Sequence, residues 1–303
     1  MNQGGALAGR IESGNRVGSS VAWTVQSQLE GLTLVIGAPG DDVSGQADAG
    51  SVLTWSESSG RTQRFAQGSN GVPGRSEKDD RFGTAVATAA LAYAEGVAVA
   101  VGAPGEDRGR LTDVGQVAFL SGEHAGKGMR ACSIAVPRRS HDGRRSVRHG
   151  DQFGAVMAFR RIDAVPNATV TGDSQLLVGL PTRTVAGRSG AGALYVADIP
   201  GVCKRGRLGS AKLITQASPG VPGRAEKGDR FASAVSTLAL PQRSGLLEEG
   251  YYVTDTVMAG APGEDLAGGR EAGTVQPLLP TGAAVVGPGG VPTDVAHFGA
   301  SLG

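Results

Sequence analysis

An all-β chain of repeated four-stranded antiparallel sheets is what this sequence predicts, on three observations. Glycine supplies 50 of the 303 residues, far above its usual share, with no Gly-X-Y period to suggest a collagen-like rod. Aromatics are only 4%, and the apolar residues are mostly Val, Ala and Leu, a mixture suited to short, closely packed strands joined by tight turns. Third, short motifs recur in a fixed order along the chain.

The first recurring mark is an aromatic residue followed by glycine that opens an apolar run: DRFGTAVA from Asp80, DQFGAVMA from Asp151 and AHFGASLG from Ala296, with DRFASAVS from Asp229 carrying Ala232 in the glycine slot. NRVGSSVA from Asn15 fills the same slot with Val17. The second mark is a turn: IGAPGDD from Ile36, VGAPGED from Val101, VGLPTRT from Val178 and AGAPGED from Ala259. The third is a small-residue strand opening at Asp48, Asp113, Gly190 and Glu271, each six residues after Asp42, Asp107, Thr184 and Asp265. Successive turn glycines (Gly37, Gly102, Gly179, Gly260) lie 65, 77 and 81 residues apart.

Each period holds four strand-like runs. In the second unit these are Gly83–Ala89, Val97–Gly102, Gln116–Leu120 and Cys132–Val136; in the third, Ala155–Phe159, Gln175–Gly179, Ala193–Ala197 and Lys212–Gln216. The stretch Thr84–Glu95 comes nearest to a helix but lacks a capping acid, and it reads as strand plus turn. Four antiparallel strands per repeat are the blades of a β-propeller, which leaves few sheet edges exposed. The expected organisation is one propeller over residues 1–303, with units at 15–70, 80–140, 151–217 and 229–287 and a fifth begun at 288–303. That is four full repeats plus part of a fifth, an incomplete ring. Glycine beside the Phe lets neighbouring backbones approach, and the Phe fills the wedge between sheets. In Gly-Ala-Pro-Gly, the proline ends the strand and the second glycine is expected to supply a positive φ.

At these marks the chain resembles the FG-GAP repeat of integrin α-subunit propellers and of many secreted bacterial proteins. The linkers GVPGRSEKDDRFG (71–83) and GVPGRAEKGDRFA (220–232) are similar to those of actinobacterial FG-GAP proteins. The resemblance covers nearly the whole chain. It implies an extracellular or cell-surface setting, and a ring that usually closes with seven blades, so the chain reads as a fragment or an incomplete product. Open blade edges would then favour association. Family repeats often carry Asp-rich calcium loops; here the matching intervals offer only scattered acids, so the usual Ca²⁺ loops are absent and no cofactor is required.

Ca²⁺ wants roughly six to eight oxygens. The remaining candidates are the turn acids Asp41, Asp42 and Asp48, then Glu106, Asp107 and Asp113, then Glu264, Asp265 and Glu271. Two readings stay open for them: a small oxygen cage closed by a hairpin, or side chains that accept backbone N–H bonds as in Asx-turns. A basic linker gathers Arg138, Arg139, Arg144, Arg145 and Arg148, which suits an anionic partner or a solvated loop; Lys204–Arg207 is a second basic spot. Cys132 and Cys203 lie 71 residues apart and fit either a disulfide or two separate thiols. Asn167-Ala-Thr169 is a glycosylation sequon, meaningful in a secretory host.

Lys+Arg of 29 against Asp+Glu of 28 leaves +1, too little to recruit nucleic acid. No run approaches the ~20 apolar residues of a membrane span, and the first twenty residues show no signal-peptide h-region. No Gly-x-Ser-x-Gly or His-Glu-x-x-His signature occurs, and Gly122–Met129 falls one residue short of a phosphate loop. The expectation is a non-catalytic binding or adhesion module that recognises a protein or glycan. The alternatives are an accessory repeat domain of a secreted hydrolase (esterase or phospholipase type) and a purely structural repeat.

Overall fold

The computed structural model describes residues 12–25, 31–90, 97–122, 128–135, 148–162, 173–199, 211–243, 251–266 and 269–279. None of these is helical, and the fold class is all-β, a β-propeller of antiparallel blades. Blade 1 is β1 (Ser20–Val25), β2 (Leu32–Ala38), β3 (Ser51–Ser56) and β4 (Thr62–Phe65). Blade 2 is β5 (Val86–Ala90), β6 (Val97–Ala103), β7 (Gln116–Gly122) and β8 (Met129–Ala135). Both are simple meanders, ordered β1-β2-β3-β4 and β5-β6-β7-β8. Blade 3 is β9 (Val156–Ile162), β10 (Asp173–Leu180), β11 (Ala193–Ile199) and β12 (Ala211–Ile214); blade 4 has β13 (Ala234–Arg243), β14 (Tyr251–Ala261) and β15 (Thr274–Leu279). One extra pair, Thr254 with Ile162, joins β14 to β9. The chain falls into two compact units, one holding β1–β8 and the other β10–β15, with the boundary inside β9 after Met157. Residues 288–303, expected to begin a fifth blade, lie outside the described residues.

Most limits of the expected strands move by one to three residues (β9, for example, runs on to Ile162 and β10 starts at Asp173), and two starts stand out. β5 begins at Val86 rather than Gly83, because Gly83 sits at φ 91° and the Thr84 N–H turns back to the Arg81 carbonyl at 3.0 Å. β8 begins at Met129 rather than Cys132, and its pairing with β7 shifts register between Phe119 and Leu120.

The repeated marks are backbone requirements. Gly102 of blade 2 lies against Gly154, and a Cβ there would overlap the Gly154 carbonyl; Gly37 meets Gly83 in the same way. The glycine of the GAP turn therefore touches the glycine of the next aromatic–glycine pair. At the third mark, Gly50, Gly115 and Gly192 sit at φ 85°, 78° and 84°. A side chain on any of them would run into the backbone of Phe82, Phe153 or Phe231. Each Phe N–H donates to the residue before that glycine, at 2.9–3.1 Å (Ala49, Val114, Ala191). All three phenyl rings are fully buried, and truncating such a ring costs about 3–5 kcal/mol.

The second glycine of Gly-Ala-Pro-Gly corrects the expectation. Gly105 and Gly263 do not take positive φ. They are glycines for room: a Cβ would overlap the carbonyl oxygens of Asp79 and Gly228.

The core lies between successive sheets. In the first unit, Val35, Val52 and Phe65 of blade 1 pack with Val99, Val101, Ala118 and Leu120 of blade 2. In the second, Leu177, Leu194, Val196 and Ile214 of blade 3 pack with Val257 and Ala259 of blade 4.

Candidate binding site at the acidic turns

The turn is built identically in all four blades. The N–H of Asp41, Glu106, Arg183 and Glu264 donates to the carbonyl three residues earlier (Ala38, Ala103, Leu180, Ala261) at 3.1–3.3 Å. A tight antiparallel bridge follows, at Val43/Gln46, Arg108/Leu111, Val185/Arg188 and Leu266/Gly269. Then Gly50, Gly115, Gly192 and Gly273 return an N–H to the carbonyl of Asp41, Glu106, Arg183 and Glu264, at 2.9–3.0 Å.

The outer acid of each charged turn closes the six-residue interval. Asp42, Asp107 and Asp265 accept the N–H of Asp48, Asp113 and Glu271 at 3.0, 2.9 and 2.8 Å. The donor residues sit in the left-handed region, at φ 51°, 50° and 49°. That geometry is the Asx-type bond of the second reading. Blade 3 places Gly190 at φ 64° in the same position. Asp48 further meets the exposed Arg16 at 2.8 Å.

The inner acid points into the protein. The buried Asp41 carboxylate accepts Arg64 Nε at 2.9 Å and Arg64 Nη2 at 2.6 Å, and the Ser51 hydroxyl. Glu106 accepts Gln67 Nε2 at 2.6 Å and Gln116 Nε2 at 3.2 Å. Glu264 accepts Gln216 Nε2. Gln67 and Gln216 stand just after the last strands of blades 1 and 3, so each reaches forward to the turn of the following blade.

Beside each turn runs the linker. The Gly105 N–H donates to the Asp80 carbonyl at 3.1 Å, and the Gly263 N–H to the Asp229 carbonyl at 3.0 Å. The Asp side chains fold back under the linker. Asp80 accepts the Glu77 N–H at 2.7 Å, Asp151 the Arg148 N–H at 2.6 Å, and Asp229 the Glu226 N–H. All three are buried.

Burial pushes the Asp80 carboxyl up to about 7; the Glu77 N–H bond opposes it, and the Glu106, Glu77 and Asp107 charges add to it. Burial also raises Asp229 to about 6, opposed by the Glu226 amide and Arg188 and reinforced by Glu226 and Asp265. Glu264 is raised to about 7 chiefly by burial, with the Gln216 hydrogen bond pulling the other way. Glu106 is raised for the same reasons.

In the second unit, this junction opens as a pocket of ≈ 280 Å³ lined by Glu226, Lys227, Asp229, Gly263, Asp265, Arg270 and Glu271. Its rim is exposed and of both signs. A scan against protein-family models finds no match, and a search of curated proteins finds none. The pocket's chemistry therefore stands on its own residues. Among the described residues, no three His, Cys, Asp or Glu side chains are placed to hold a metal ion. One oxygen of each outer Asp is already committed to an amide.

Of the basic linker, Arg138, Arg139, Arg144 and Arg145 lie outside the described residues; Arg148 serves through its backbone. Cys132 is on β8 and Cys203 lies outside the described residues, as do Lys204–Arg207 and the sequon at Asn167. Sequence reasoning missed Asp80, Asp229, Gln67 and Gln216 as site residues. The signal was present: Asp precedes the Arg-Phe or Gln-Phe of three repeats, and Gln precedes both GVPG linkers by the same distance.

Proposed function

We propose that this chain is a non-catalytic binding module, an FG-GAP-type propeller that recognises a protein or glycan with its acidic turns and linkers. The observation that carries this reading is the polar pocket between Glu226, Asp229, Asp265 and Glu271, with Lys227 and Arg270 on its rim. A concave site with several convergent polar groups suits a partner rich in hydroxyls and cationic groups. Loops held by a rigid sheet are where such recognition is usually placed. The resemblance in the repeats supports an extracellular or cell-surface setting.

Glycan and peptide arrays probed with the whole chain test the reading. A defined class of bound probe is expected, with binding weakened at least ~10-fold by Asp265→Asn with Glu271→Gln. Blank arrays, or binding that this double variant leaves intact, would refute it.

A further inference from the structure

The pocket of blade 4 has a counterpart in blade 2. Its lining residues Glu226, Lys227, Asp229, Gly263 and Asp265 recur in sequence as Glu77, Lys78, Asp80, Gly105 and Asp107. Thr112 stands for Arg270, and Asp113 for Glu271. Burial recurs too: Glu77, Lys78 and Asp107 are exposed beside a buried Asp80, as Glu226, Lys227 and Asp265 are beside a buried Asp229. The bonds from turn to linker match, Gly105 to the Asp80 carbonyl and Gly263 to that of Asp229. Beyond burial, which dominates, Asp80 feels the charges of Glu77 and Asp107, and Asp229 those of Glu226 and Asp265. Carboxyls of linker and turn therefore converge in both places. Each junction lies wholly within one compact unit.

Blade 1 shows what such a junction accepts. There the strand-opening acid, Asp48, holds the Arg16 guanidinium at 2.8 Å. The same side chain lies over Gly40, where an added Cβ would come within 2.9 Å of Arg16 Nε. Gly40 and Asp48 occupy the repeat positions of Gly263 and Glu271 in blade 4, and of Gly105 and Asp113 in blade 2. An arginine of the chain itself thus fills in blade 1 the place that is a pocket in blade 4. At the position of Arg16, blades 2 and 4 carry Arg81 and Arg230, and neither makes an ion pair among the described residues. The atoms nearest a Cβ on Gly105 or Gly263 belong instead to the backbone of Asp79 and Asp80, or of Gly228 and Asp229.

We propose that the junctions of blades 2 and 4 are two equivalent sites on one chain, each taking a basic side chain of a peptide partner where Arg16 sits in blade 1. This rests on the reading of the blade 4 pocket as a binding site, and adds a second site and the class of group bound. A guanidinium brings only hydrogen-bond donors, which suits the carboxylates of Glu77, Asp107 and Asp113 in one site and of Glu226, Asp265 and Glu271 in the other. None of the described residues lining the blade 4 pocket is aromatic or apolar, so ring stacking adds nothing there, and a charged side chain fits better than a sugar. Blade 3 is left out because its turn carries Thr182, Arg183 and Thr184 in place of acids. Exposed ion pairs are individually weak, so each site alone binds modestly.

Amide-resolved NMR of the isotope-labelled full-length chain, titrated with N-acetyl-arginine methylamide, tests this. N-acetyl-citrulline methylamide, of the same shape without the charge, is the control, and methyl glucosaminide offers a cation on a sugar. Two saturable sets of shifts are expected, one at Glu77, Asp80, Asp107 and Asp113, the other at Glu226, Asp229, Asp265 and Glu271, with no response to the citrulline probe. Asp107→Asn with Asp113→Asn should weaken the first set at least ~10-fold and spare the second, and Asp265→Asn with Glu271→Gln should do the reverse. The Asn side chains keep an acceptor for the amides at positions 113 and 271, and circular dichroism checks each fold. Shifts confined to the blade 4 set, or a first set that its double variant leaves intact, would overturn the second site while the pocket stands. Shifts at neither set, equal shifts with citrulline, or tighter binding of the glucosaminide than of the arginine probe would overturn the class of ligand, and binding on the arrays decides separately whether the pocket recognises a partner at all.

Discussion

The turn of blade 2, VGAPGED, and that of blade 3, VGLPTRT, follow the same backbone path with different side chains. Their opening bonds are 3.3 Å (Glu106 to Ala103) and 3.1 Å (Arg183 to Leu180), and their closing bonds are 2.9 Å and 3.0 Å (Gly115 to Glu106, Gly192 to Arg183). Both carry the tight bridge between. The acids are therefore not what shapes the loop. In the charged turns the acids hold specific partners: Glu106 binds Gln67, Asp41 binds Arg64, and Asp107 binds the amide of Asp113. Blade 3 buries Arg183 where the others place an inner acid.

The sharpest way to break this contrast is Asp41→Ala. It leaves the half-buried Arg64 guanidinium without the carboxylate that accepts two of its N–H groups, a loss of roughly 3 kcal/mol. A fall in Tm of roughly 10 °C is expected by circular dichroism. A fall of under ~2 °C would mean that an inner acid is as dispensable in blade 1 as in blade 3.

Acidity gives the next largest effect. Asp80, Asp229 and Glu264 hold protons in the folded chain up to pH values of about 7, 6 and 7, whereas free carboxyls release theirs near ~4. Between these limits the folded state binds more protons than the unfolded one, so stability falls as pH rises through the window. The gain is complete only below the ordinary carboxyl range. Melts should give a Tm about 5 °C higher at pH ~5 than at pH ~8. Asp80→Asn together with Glu264→Gln should flatten the profile; a wild-type profile already flat would count against these buried acids.

The smallest effect sharpens the comparison instead of breaking it. Asp107→Thr copies Thr184 of blade 3 into blade 2 and removes the carboxylate bond to the Asp113 amide. The urea midpoint should drop by an amount equivalent to about 1 kcal/mol or less. A loss of several times that would show the outer acid to be essential to the loop after all.

The fold was legible because its marks are demands of the main chain. Gly102 must be small to meet Gly154, Gly50 must reach φ 85°, and Phe82 must fill the space between sheets. Such demands recur at fixed spacing, and a sequence displays them. The site was legible only in part. Asp42, Asp107 and Asp265 could be picked out by their interval, and the amide-accepting reading is the one their geometry takes. That Asp41 and Glu264 turn inward while their neighbours turn outward is not written in order along the chain. The recurrence of Gln67 and Gln216 before the two GVPG linkers marks them as repeated residues, but the acids they reach lie 39 and 48 residues away, so the pattern does not say what they bind. The second glycine of Gly-Ala-Pro-Gly shows the reverse error. A familiar turn residue was assigned to dihedral freedom when what it provides is clearance.

The seam between Gly102 and Gly154 is written half in one repeat and half in the next. A repeat copied in tandem brings a matching half-seam at each end. Gene duplication can thus lengthen or shorten the array by whole repeats without inventing a new joint, whereas drift at one glycine is tolerated only if its counterpart a repeat away gives up space as well.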